Sequence, residues 1–151
     1  MRRVRSFLWL GAALAAAPVP AAAQEMCAAL HRIAAAAREP VPFASLPDGA
    51  ALVPGYEYCR VETGTGARAG RVLCNRQLAP KSLIAATVGG QVRDCLGGTP
   101  VPQEWPDNDV VLRTADLVVT VESHCDERCH VGRLASLTIE RRREDETPSA
   151  R

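Results

Sequence analysis

The run Tyr56-Glu57-Tyr58-Cys59-Arg60-Val61-Glu62 is followed by the turn Thr63-Gly64-Thr65-Gly66-Ala67-Arg68-Ala69-Gly70. The chain continues as Arg71-Val72-Leu73-Cys74-Asn75-Arg76-Gln77-Leu78. Both flanks alternate with a period of two, the signature of strands with one buried face. Cys59 and Val61 share a side, with Tyr58 and Arg60 on the other; Val72 and Cys74 share a side in the second flank. Opposed residues of an antiparallel hairpin have a constant index sum. Pairing Val61 with Val72 therefore sets Cys59 opposite Cys74 on the same face, and a cross-strand disulfide follows. In the chain-entropy view that bridge contributes about 3 kcal/mol.

Helices flank the hairpin. Residues 25–39 place Cys27, Leu30, Ile33 or Ala34, and Ala37 on one face, with Pro40 as the stop. Residues 81–96 enter through Pro80, place Ile84, Val88, Val92 and Cys95 on one face, and stop at Gly97-Gly98. Gly89-Gly90 reads as a weak point, at about 1 kcal/mol per glycine relative to alanine. Antiparallel packing of the two helices would bring Cys27 to Cys95. Residues 41–55 are rich in Pro and Gly and read as a loop pinned by Phe43 and Leu46. Residues 99–109 read as a Pro-rich connection containing Trp105. Residues 110–114, 117–122 and 134–141 alternate as strands, and 142–151 is a charged tail expected to be disordered. The expected fold is a small single α+β domain, an antiparallel sheet with two helices packed on one face. The expected order is α-β-β-α-β-β-β, with disulfide staples.

The N-terminus reads as an export signal over residues 1–23. Arg2, Arg3 and Arg5 precede the apolar stretch 7–17, and Ala21-Ala22-Ala23 offers a peptidase site ahead of Gln24. The apolar stretch falls short of the roughly 20 residues a membrane span requires. The mature domain is then 24–141, the location is exported, periplasmic or secreted, and the mature chain carries no transmembrane segment. Of its 128 residues about 22% are Leu, Ile, Val or Phe, just above the level at which chains stay disordered. Burial alone is a weak support for such a chain, and six cysteines beyond the signal fit an oxidising compartment. The expected pairs are Cys59–Cys74, Cys27–Cys95 and Cys125–Cys129.

Chemical potential concentrates in His124-Cys125-Asp126-Glu127-Arg128-Cys129-His130. The reading adopted is a disulfide, Cys125–Cys129, pinching a hairpin tip. The alternatives are a metal site in which His124, Cys125, Cys129 and His130 supply ligands to Zn or Cu, and a redox dithiol. Adjacent residues such as His124 and Cys125 diverge on extended backbone, which disfavours four ligands on one ion. A redox dithiol lacks the helix that normally stabilises its thiolate. Gly64-x-Gly66-x-x-Ala69 loosely fits a dinucleotide fingerprint, but a strand follows it where that fingerprint needs a helix.

The chain has a net charge of +1, or −2 after loss of the signal, so nothing points to nucleic acid. No nucleophile–base constellation stands out, which makes an enzyme the less favoured reading, and no cofactor is expected. The expectation is a non-enzymatic binding or accessory protein that contacts another protein or envelope component. Its candidate surface is Tyr56, Tyr58 and Arg60 on the hairpin face opposite the cysteines, joined by Trp105. The alternative is a metal-handling or thiol-redox protein centred on residues 124–130.

Overall fold

The structure, a computed structural model, describes residues 21–65, 69–78, 84–103, 109–125 and 133–142. Helix α1 covers Ala21–Ala36. Strands β1 (Tyr58–Glu62) and β2 (Arg71–Leu78) form the hairpin, and α2 covers Ile84–Leu96. Then come β3 (Thr99–Val101), β4 (Asp109–Arg113), β5 (Leu117–Cys125) and β6 (Arg133–Arg141). All six strands join one antiparallel sheet in the order β1-β2-β6-β5-β4-β3. The expected α-β-β-α-β-β-β order stands, with β3 as an additional strand. Three residues containing Pro100 carry no period-two signal, and proline is tolerated in a strand at a sheet edge.

The hairpin register is the one the alternation requires: Val61 opposes Val72 and Cys59 opposes Cys74. The backbone explains why sulfur fits there. The Cys59 N–H donates to the Ala50 carbonyl at 2.8 Å, and the Cys59 carbonyl accepts from Gly49 N–H at 2.9 Å. Both backbone groups of Cys59 thus point away from β2, which makes Cys59–Cys74 a non-hydrogen-bonded pair, the closer of the two pair types. The two Cα atoms are 4.0 Å apart and the disulfide is formed.

The same phase runs across the sheet. Val72, Ile139 and Val119 align in one row with Leu112, and Cys74, Leu137 and Val121 in the next. All of them are buried. Leu30 and Ile33 of α1, and Ala85, Val88 and Val92 of α2, pack on this face. Phe43, in the loop after α1, is fully buried, and Leu46 packs against the same core. The Cys27–Cys95 disulfide joins the start of α1 to the end of α2, with Cα atoms 5.0 Å apart. It closes a separation of 68 residues, for which chain entropy gives about 4 kcal/mol.

α1 ends three residues before the expected Glu39. The Arg38 N–H donates to the Ala35 carbonyl and the Glu39 N–H to the Ala36 carbonyl, so the final turn tightens before Pro40. α1 also begins at Ala21, ahead of the expected start, and so runs through the expected cleavage point after Ala23. The rest of the signal segment lies outside the described residues. α2 stops as expected: Gly97, at φ 69°, donates to the Arg93 carbonyl at 2.8 Å. The Arg142 N–H donates to the Asp116 carbonyl at 2.7 Å, so the fold holds the chain through 142. Residues 143–151 of the expected tail lie outside the described residues.

Candidate functional site

With both helices on one side, the other face of the sheet carries no helix among the described residues. Its side chains are set by register. Tyr58, Asn75, Ser136 and Glu122 form one row across β1, β2, β6 and β5. Arg60, Leu73, Thr138, Thr120 and Val111 form the next, and Glu62, Arg71, Glu140 and Val118 a third.

Tyr58 is 47% exposed, and with Val41 it is one of the two large hydrophobic side chains that stand out into solvent among the described residues. The Asn75 amide donates to its hydroxyl at 3.4 Å. Arg60, also exposed, lies 3.6 Å from Glu62, whose carboxylate is held more closely by Arg71 at 2.8 Å. That contact raises the Arg71 pKa further, through the hydrogen bond first and the charge of Glu62 second. The Ser136 hydroxyl donates to Glu122 at 3.2 Å. Such a face combines an exposed aromatic, a cation and short hydroxyl side chains on a rigid sheet. It can make contacts through Tyr58 and Arg60, both exposed.

Tyr56 does not belong to it. Its alternation with Tyr58 places it on the exposed side, but the structure buries it at 4% exposure. The Tyr56 N–H donates to the Val53 carbonyl at 3.1 Å, so residues 53–56 form a turn and the strand begins only at Tyr58. The alternation holds only from Tyr58, and the turn before it rotates the Tyr56 ring into the core.

β5 and β6 pair as far as Cys125 and Arg133, which confirms that residues 126–132 connect two antiparallel strands. His124 and Cys125 lie at the end of β5. Cys129 and His130 fall outside the described residues, as does Trp105, so neither the Cys125–Cys129 pairing nor the alternative metal set is placed. Among the described residues no three metal-ligating side chains gather, and no helix is long and apolar enough to cross a membrane.

A groove of about 620 Å³ lies at the opposite edge of the sheet, lined by Leu96, Thr99, Pro100, Val101, Pro102, Arg113, Ala115 and Arg142 among others. None of the described candidate residues lines it. Comparison with known families, characterised proteins and solved structures finds no match.

The outer positions of β6 and β5, Thr138 and Thr120 above all, were not singled out from sequence as part of this face. The signal was present in the alternation of those strands, but only the strand order β1-β2-β6-β5 puts them beside the hairpin.

Proposed function

We propose that this protein is a small exported binding or accessory module that engages another protein or envelope component through the open face of its sheet. The observation that carries this reading is the asymmetry of the sheet. One face is sealed by helices tied together by Cys27–Cys95, and the other presents Tyr58 and Arg60 at the rigid, disulfide-anchored hairpin. Tyrosine and arginine on a pre-organised surface supply contact area and charge-assisted hydrogen bonds with little ordering entropy lost. Formed disulfides fit an oxidising compartment, which supports export.

Photo-crosslinking tests the reading. A photoreactive residue replacing Tyr58 or Arg60 should form adducts in the envelope fraction, while one replacing His31, exposed on α1, should not. Adding Tyr58→Ala should lower the adduct yield at position 60. Equal labelling from position 31, or none from 58 and 60, would contradict the proposal.

A further inference from the structure

The core-facing side of β2 runs Val72, Cys74 and then, against the pattern, Arg76, which pairs with the fully buried Ala135 of β6. A cation in that phase requires compensation, since moving charge out of water is costly unless it is paired. Yet Arg76 makes no ion pair among the described residues, unlike Arg38, Arg60 and Arg71. Its Nε is buried and has no hydrogen-bond partner. Beside it stands Tyr56, with the guanidinium carbon 5.3 Å from the ring centroid. The Tyr56 hydroxyl is likewise buried and unpartnered. The arginine lies close against Gly55, where a Cβ would sit 3.2 Å from Nη1. The nearby Glu57 carboxylate is turned to the Gln77 N–H at 3.5 Å.

The half-buried Arg76, its Nε–H unpartnered and no carboxylate paired to it among the described residues, stands over the ring of Tyr56, whose buried hydroxyl is also unpartnered, and such a pair of donors suits negative charge. We propose that Arg76 and Tyr56 bind a small oxyanion, either a carboxylate or a tetrahedral inorganic anion. Arg76 offers Nε–H and a neighbouring Nη–H as a fork, and the Tyr56 hydroxyl gives a third donor. Burial keeps the Tyr56 proton in place, so the hydroxyl remains a donor at neutral pH. The chain's near-zero net charge supplies no general attraction for anions, so binding depends on this local arrangement.

Titration followed by NMR at the Arg76 Nε–Hε group tests the site, with sodium sulfate and sodium acetate each compared with sodium chloride at matched ionic strength. The site is expected to saturate with sulfate or acetate but not with chloride, and the better salt identifies the anion class. Tyr56 ring signals should weaken their response in Arg76→Gln, with affinity lower by about tenfold or more, as loss of charge-assisted bonds implies. Tyr56→Phe keeps the buried ring and should weaken binding by a few fold at Arg76, which preserves the test if Arg76→Gln does not fold. Shifts that follow ionic strength alike in all three salts would overturn the proposal. So would unchanged affinity in either variant.

Discussion

Tyr56 shows what a single residue contributes here. Its ring belongs to the core and stands under the Arg76 guanidinium, and its hydroxyl is buried without a partner. Desolvation raises its pKa above the ordinary 10.0, and the Arg76 charge offsets this only in part. A tyrosine whose folded pKa is raised holds its proton more firmly when folded than when unfolded. Its contribution is therefore fully present below pH 10 and is lost as pH rises through the folded value. Urea unfolding of the wild type should show stability falling above pH 10, and Tyr56→Phe should flatten that fall. Equal slopes would show that Tyr56 is not desolvated. Phe43 is a second residue set by its surroundings: it is fully buried at φ 64°, a backbone region that a bulky side chain adopts only when its environment enforces it. Its N–H donates to the Ala36 carbonyl at 2.9 Å, so the loop is locked to the end of α1.

At the scale of elements, the glycine pair in α2 separates two effects that composition merges. A Cβ on Gly89 would stand 2.6 Å from Cγ1 and 3.0 Å from Cβ of Val110, so this glycine lets α2 approach β4 closely. Gly90 has nothing within 4 Å. Gly90→Ala should therefore stabilise the protein by about 0.5–1 kcal/mol through helix propensity. Gly89→Ala should destabilise it by about 1–3 kcal/mol through overpacking against a stiff, branched side chain. Thermal unfolding of the two variants checks the opposite signs. From sequence both glycines read simply as weak points, because propensity is local while the contact with Val110 is not. The hairpin was legible for the converse reason: alternation on both flanks specifies its register without knowledge of the rest of the fold. Strand β3 and the turn at Val53–Tyr56 were not, since three residues with a proline carry no period and a turn can end an alternation without a marker.

For the whole molecule, the design is a sheet closed on one side and protected at its edges. Along β1, the outward N–H groups of Cys59 and Val61 are taken by the Ala50 carbonyl and by Asp48 Oδ1, at 2.8 Å each. At the other edge Pro100 removes a donor. Under the proposed function the contact falls to the broad face, which sequence could only partly show. The alternating strands announced an open face, but its lateral extent depends on β6 and β5 lying next to the hairpin. Across this architecture the two bridges span separations of 15 and 68 residues and lock the hairpin and the helix pair. With so few large aliphatic residues, the fold needs both covalent ties formed as a supplement to burial. Peptide mapping of the non-reduced protein recovered from an oxidising compartment tests that claim most directly. Linked peptides joining Cys59 to Cys74 and Cys27 to Cys95 are expected, and free thiols or exchanged partners at any of these four positions would contradict it.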